Sequence, residues 1–350
     1  MSAVNVGVVL EGVGDIQIKE LSGGVPTPGP NQVLLKMGPV GICGSDVHYW
    51  THGRIGDFIV DGAMVLGHEA AGTVYGVGSA VKDLAVGDRV AIEPGYPCST
   101  CSACIGGRYN LCPEMKFCAT PPVDGSLCQF YCHPAAFCFK LPDSVSLEEG
   151  ALLEPLAVAV HACRRGKLSF GQNVLVCGAG PIGLVNMMVA KAGGARVTIT
   201  DISASRLEKA KELGADNTYM FRVDTKDSRE AADEIVALHG FSDLTIECTG
   251  IGASIGTGLW ATKAGGSYVQ VGYGAAEVTF PIVAVGVREI DIYGIFRYAN
   301  CYPTALRLVE SGAVNVKGLV THNFPLKEAI KAFETTKAGT GIKVIIDCDK

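Results

Sequence analysis

Cys98, Cys101, Cys104 and Cys112 put four thiols within fifteen positions, in the pattern C-x-x-C-x-x-C followed by seven residues and a last Cys. Four thiolates on short spacers are the donor set of a closed tetrahedral structural zinc, which has no open position and stabilises a loop without doing chemistry. Iron–sulfur clusters use similar runs, but the long last spacer favours zinc. The loop is rich in Ser, Gly and Arg, unlike the apolar sequence that buries unligated thiols. A second group is Gly178-Ala-Gly180-Pro-Ile-Gly183, which directly follows the apolar run NVLVC and opens an apolar helical pattern. Its glycines suit a tight turn, close approach of the backbone to a pyrophosphate, and close helix–strand packing, with the helix N-terminus facing the phosphates. The next strand-like run ends in Asp201, eighteen positions after Gly183. An acidic group there accepts from both ribose hydroxyls of NAD and repels the extra phosphate of NADP, so NAD is the expected cofactor. Arg206 complicates that choice, because an Arg nearby is what an NADP site uses. A third group is Cys43 in VGICGSDVHYW with the adjacent His68 and Glu69 in LGHEAAGTV. A thiolate, an imidazole and a carboxylate could hold a Lewis-acid zinc with an open position, which is what removing hydride from an alcohol requires. The H-E-x-x-H pattern is absent, and on spacing alone a structural role for each residue stays open.

The elements that must carry these groups fall into two kinds. Up to about residue 140, short β-type runs such as QVLLKMGPVGIC, EAAGTVYGVG and GDRVAIEP alternate with Gly/Pro turns, which predicts a β-rich unit of barrel type. Ser146 with Glu149 three residues on forms a capping box, and the chain turns helical. After Gly171 strands alternate with ten- to fifteen-residue helical patterns, the signature of a parallel, doubly wound sheet. The last sixty or so residues read as helix, helix and strand, and could extend that sheet or return to the first unit.

Composition limits the setting. A chain of 350 residues suggests about two domains. Its 48% hydrophobic content excludes disorder, and a net charge of −6 with no Lys/Arg block argues against nucleic acid. No run approaches the roughly 20 apolar residues of a membrane span. The start, MSAVNVGVVLEGVGD, lacks a basic n-region, so the fourteen cysteines are expected to stay reduced, in the cytoplasm.

GHEAAGTVYGVGSAV, then the four-cysteine lobe, then GAGPIG, resembles the zinc-containing medium-chain alcohol dehydrogenases in motif and in order. GICGSDVHYWTHGRIGDFIV, RYNLCP, FCATPP, EEGALLEPLAVAVHACRRG, REIDIYGIFRY and LVTHNFPLKEA resemble the polyol dehydrogenase branch of that family, and the likeness runs from about residue 5 to 348. The resemblance implies an α/β fold: a GroES-like β-rich catalytic domain of residues 1–153 and 290–350 around a Rossmann domain of residues 154–289, with a doubly wound parallel sheet. It assigns the catalytic zinc to Cys43, His68 and Glu69, with Glu154 near the metal through a water, where simple alcohol dehydrogenases commonly have a third sulfur. Ser45 and His48 would relay the hydroxyl proton to solvent. Ser45, Tyr49, Phe117, Thr120, Glu154, Arg297 and Tyr298 would contact substrate. Ile182, Asp201 and Arg206 would serve the pyrophosphate and adenosine end of the cofactor. Val271, Gly272, Tyr273, Ile295, Phe296 and Arg297 would serve the nicotinamide end, Tyr273 standing where an aliphatic residue is often found. Mammalian members of the branch have lost most of the four-cysteine lobe; this chain keeps all four, which implies two zinc ions per subunit.

The implied activity is reversible, NAD-linked oxidation of a polyol such as sorbitol or xylitol to the ketose. The only partners are then the small-molecule substrate and further copies in a homotetramer, the state common among relatives. The same scaffold also serves xylitol, threonine and simple alcohol dehydrogenases. From another class, a non-catalytic zinc- and nucleotide-binding protein remains the alternative.

Overall fold

Gln32–Gly41 is a ten-residue strand whose apolar side chains Val33, Leu35, Met37 and Val40 are buried, and the first unit is organised around it. It pairs antiparallel with Glu69–Val77, from Val33↔Val77 to Gly41↔Glu69. It also pairs with Phe130–Pro134 and with Lys343–Asp347. Register shifts at Leu34/Leu35 and Met37/Val40 bend the ladder, as β-bulges do in small curved sheets. Arg89–Ile92, Cys138–Lys140 and Val320–Pro325 complete a seven-stranded sheet. Helix Ala329–Lys337 contributes the fully buried Phe333 to the same core, which includes Val344 and Ile346 of the C-terminal strand.

The structure, a computed structural model, describes residues 4–222 and 227–350. Its contacts divide the chain into two units: residues up to Glu154 with Tyr302–Ser311 and Val316–Lys350, and Pro155–Cys301 with Gly312–Asn315. The C-terminal segment therefore returns to the first unit, because Ile345, Ile346 and Asp347 pair with Gly41, Val40 and Pro39.

In the second unit six parallel strands, Asn173–Cys177, Arg196–Asp201, Asn217–Met220, Ser242–Glu247, Thr262–Gln270 and Asp291–Gly294, lie in the order 3-2-1-4-5-6 counted along the chain. This is the doubly wound order with a switch point beside the first strand. The boundary expected at residue 290 is corrected by the sixth strand. Ser267↔Asp291 through Gln270↔Gly294 are parallel pairs, so the sheet runs past 290 and the unit ends at Cys301. Glu154 falls on the other side, as the last residue of the first unit's long N-terminal segment. At that junction the capping box forms as the sequence indicates, with Ser146 N donating to Glu149 Oε2 at 2.8 Å and Glu149 N donating to Ser146 Oγ at 3.3 Å.

Candidate active site and metal centres

The pairing of Gly41 with Glu69 brings two distant segments together. Cys43 lies two residues beyond the end of one strand and His68 one residue before the start of the other. Ligand atoms of Cys43, His68 and Glu69 all lie within 4.8 Å of one another. Zinc bonds of about 2.0–2.3 Å imply tetrahedral donor separations of about 3.3–3.8 Å, which this set reaches with side-chain adjustment of about an ångström. One thiolate, one imidazole and one carboxylate is also the three-ligand donor set of a catalytic zinc.

Two buried groups that sequence reasoning missed hold this cluster. Asp46, 1% exposed, accepts from Cys43 N at 3.0 Å and Gly67 N at 3.2 Å, and its Oδ1 lies 3.5 Å from His68 Nδ1. Burial would raise the Asp46 carboxyl, but His68 and the two N–H groups hold it below its usual range. Burial would likewise lower His68, and Asp46 with Cys43 raises it well above the ordinary imidazole value. A carboxylate behind a ligand imidazole is the usual orienting partner in such centres. On the other side Lys343 donates to Glu69 Oε1 and Oε2, each at 2.7 Å, and to the Ile42 carbonyl at 3.2 Å. Burial opposes the Lys343 charge, and Glu69, Cys43 and Glu154 more than restore it. A Cβ on Gly41 would lie 2.2 Å from Glu69 Oε2, so only glycine leaves room for that carboxylate. The signals were faint: an acidic residue three after Cys43, and a lone Lys in the apolar run IKVIID.

Of the other residues expected to handle substrate, Ser45, His48, Tyr49, Phe117, Thr120 and Glu154 occupy the same unit, and Arg297 and Tyr298 belong to the second. Phe117 is buried with its ring 5.7 Å from that of His68. Glu154 is buried in the first turn of helix Leu153–Arg165. Helix Gly44–His52 carries half-buried Ser45, exposed His48 and buried Tyr49. The His48 ring stacks on His52 at 4.3 Å, and desolvation followed by His52 lowers its pKa, so it is neutral and able to accept a proton near pH 7. Thr120 closes a turn, its N donating to the Phe117 carbonyl at 3.1 Å and its carbonyl accepting from Val123 N at 2.8 Å.

The four-cysteine lobe also closes. Cys101 and Cys104 sulfurs stand 3.4 Å apart and Cys98 and Cys104 sulfurs 4.0 Å, bracketing the separation of about 3.8 Å that zinc–sulfur bonds of about 2.3 Å imply. Hydrogen bonds from Thr100 and Cys101 draw the Cys98 thiol down to about 6, whereas desolvation and the neighbouring thiols push Cys104 up to about 12. Four thiolates share this volume only around a cation. Between Cys104 and Cys112, Tyr109 donates to Glu93 Oε1 at 2.6 Å, tying the lobe to the strand end at Ile92. Burial raises that carboxyl to about 7, with Tyr109 lowering it and Glu154 raising it.

In the second unit Gly178 has φ +98°, and a Cβ on Gly183 would lie 1.7 Å from the Gly178 carbonyl oxygen. A Cβ on Gly180, which caps helix Pro181–Ala192, would meet no protein atom. Of the three fingerprint glycines, Gly180 is therefore the one that the protein's own packing does not require. Ile182 lies in the helix's first turn. Asp201 ends the second strand; Oδ2 accepts from Ala179 N at 2.8 Å and Oδ1 from Ser203 N at 2.9 Å. The cap of the following helix is Ser203, which leaves Asp201 beside the glycine loop, with Arg206 Nη1 3.9 Å from it. Gly272, after Val271, packs on backbone: a Cβ there would lie 2.3 Å from Gly250 N. The exposed Tyr273 donates to the Ile295 carbonyl at 3.1 Å, and the Arg297 guanidinium lies 4.7 Å over the Phe296 ring, with Tyr298 buried next to it.

Two family models match the chain. The alcohol dehydrogenase GroES-like domain matches residues 29–143, and the zinc-binding dehydrogenase domain matches residues 181–311. A sorbitol dehydrogenase of Mus musculus is 57% identical over 347 residues, 99% of this chain and 96% of its own. L-idonate 5-dehydrogenase from Escherichia coli has a TM-score of 0.90 at 30% identity, covering 99% of both chains. An alcohol dehydrogenase from Escherichia coli CFT073, solved with NADH, has a TM-score of 0.90 at 25% identity, covering 99% of this chain and 100% of its own.

His68 must lose its proton to become a metal donor, and its surroundings favour that proton. Zinc affinity at this centre is therefore expected to fall as pH drops, by about tenfold per unit for each proton displaced. Competition with a chromophoric chelator between pH 8 and 6 measures this; a pH-independent affinity would contradict it.

Proposed function

The chain belongs to the zinc-containing medium-chain alcohol dehydrogenase family, and from that premise we propose that it is an NAD-linked polyol dehydrogenase. It oxidises a secondary alcohol of sorbitol, xylitol or a similar polyol to the ketose, and runs the reverse reaction. The observation that carries this reading is the mixed donor set of Cys43, His68 and Glu69 within 4.8 Å, with the carboxylate of Glu154 buried in the same unit. The relationship to a sorbitol dehydrogenase at 57% identity supports the substrate class.

Cys43, His68 and Glu69 would hold the catalytic zinc, and Cys98, Cys101, Cys104 and Cys112 the structural one. Bound at the first site, zinc supplies the Lewis acidity that lets an alcohol lose its proton near neutral pH, while bound nicotinamide supplies the hydride acceptor. Glu154 takes up the hydroxyl proton, and Ser45 with the neutral His48 passes it outward. Phe117 and Tyr49 present an apolar wall that keeps water from the reacting carbon. Thr120, Glu154, Arg297 and Tyr298 add the donors and acceptors that a chain of hydroxyls needs, which a simple alcohol does not. Gly178, Gly180, Ile182 and Gly183 cradle the pyrophosphate. Asp201 holds the adenosine ribose and sets NAD over NADP, and Arg206 covers the adenosine. Val271, Gly272, Tyr273, Ile295, Phe296 and Arg297 line the nicotinamide.

The protein works in the cytoplasm, where its fourteen cysteines form no disulfide. No helix among the described residues is long and apolar enough to cross a membrane. It assembles as a homotetramer. In support, strand Asp291–Gly294 is the last of its sheet among the described residues, and Ile282, Val283, Val287 and Ile292 of the same unit are exposed.

Mixing protein and NAD with sorbitol, xylitol, ribitol, threonine and ethanol is expected to give fastest reduction with one of the three polyols; fastest reduction with ethanol or threonine would refute the substrate class. Asp201→Ala is expected to cut the NAD-over-NADP preference in kcat/KM by about tenfold or more. Metal analysis of reduced protein should find two zinc ions per chain, and one would sink the two-zinc reading. Light scattering at four chain masses would support the tetramer, and a monomer would end it.

A further inference from the structure

We propose that Lys343 is the positioning residue of the catalytic metal centre, clamping together the two segments that bear the metal donors and aiming the Glu69 carboxylate. The proposal rests on reading Cys43, His68 and Glu69 as those donors. An ammonium has three hydrogens, and Lys343 has three acceptors: Glu69 Oε1, Glu69 Oε2 and the Ile42 carbonyl. Ile42 immediately precedes Cys43, and Glu69 immediately follows His68. One group therefore fixes the chain at both donor segments. Asp46 does the same with the opposite sign, accepting from the N–H groups of Cys43 and Gly67.

Lys343 is 3% exposed and Glu69 1%, so neither can turn to water for a partner. A buried carboxylate left without its cation is strongly disfavoured, and would leave the orientation that the ammonium fixes. Gly41 leaves a gap for Glu69 that any side chain would fill, so the carboxylate is confined on one side by backbone and on the other by the ammonium. Each carboxylate oxygen has a second lone pair, so the hold of Lys343 leaves a donor for the metal. Positioning groups of this kind change metal affinity without touching the ion.

The test compares zinc-loaded wild type, Lys343→Met, Lys343→Arg and the double variant Glu69→Gln/Lys343→Met. The rate of zinc transfer to a chromophoric chelator and the Tm before and after zinc removal are read for each. Lys343→Met should lose the catalytic zinc about tenfold faster or more, and the four-thiol zinc at the wild-type rate. Lys343→Arg, which keeps the charge, should stay closer to wild type. Most of the Tm lost in Lys343→Met should return in the double variant, which has no orphaned carboxylate. Wild-type zinc release from folded Lys343→Met, or a double variant as unstable as the single one, would overturn the proposal. Should Lys343→Met fail to fold, a folded double variant supports the clamp and an unfolded one overturns it. Wild type with zinc only in the thiol lobe would instead refute the reading of the donors, and the proposal with it.

Discussion

The antiparallel register that sets Gly41 opposite Glu69 is the constraint on which the catalytic unit depends. A slip of one residue would turn every side chain of Glu69–Val77 to the other face of the sheet. His68 would lose Asp46, Glu69 would lose the space above Gly41, and Cys43 would face a different neighbour. What pins the register is apolar: Val33, Leu35, Met37 and Val40 share a core with Val74, Ile92, Phe333 and Ile346. The buried charges add little net stability, because burying an ion pair costs about as much as the attraction returns. Their placement serves the chemistry, and the hydrophobic ladder supplies the stability that permits it.

The two units divide the labour. The first gathers Cys43, His68 and Glu69 and the four-cysteine lobe, while the second offers glycine-lined backbone and the Asp201 carboxylate at the switch point of its sheet. Gly178 and Gly183 satisfy the protein's own packing, one by a positive φ and the other by contact with a carbonyl, whereas a Cβ on Gly180 would meet no protein atom. Asp201 braces the glycine loop through Ala179. The four-cysteine lobe is a closed knot that also reaches Glu93 through Tyr109.

Legibility in the sequence followed distance along the chain. The cysteine lobe, the glycine fingerprint, the Ser146–Glu149 cap and the alternation of strand and helix are local patterns, and the structure contains each of them. Asp46 was half-visible, since its bond to Cys43 N is local while its bond to Gly67 N is not. Lys343 was invisible as a partner, because 274 positions separate it from Glu69 and no periodicity links them. The boundary at residue 290 was misplaced because DIYG is only four residues long and shows no period, so its membership is decided by pairing with Thr262–Gln270. Cys43, His68 and Glu69 were equivocal by spacing and became a set only through the resemblance, then through strand pairing.

The tie between Ile42 and Lys343 spans 301 positions, and the whole nucleotide-binding unit is threaded between its ends. During translation the Pro39–Gly41 end of the strand must therefore wait for its C-terminal partner while the intervening sheet is synthesised and closes on contacts that are local to it. Non-local pairings of this kind form late, since loop closure must precede the contacts that reward it. What the topology defers is the clamp: the donor residues Cys43, His68 and Glu69 are all made early, and the Lys343 ammonium that ties their segments comes only with the C-terminal strand.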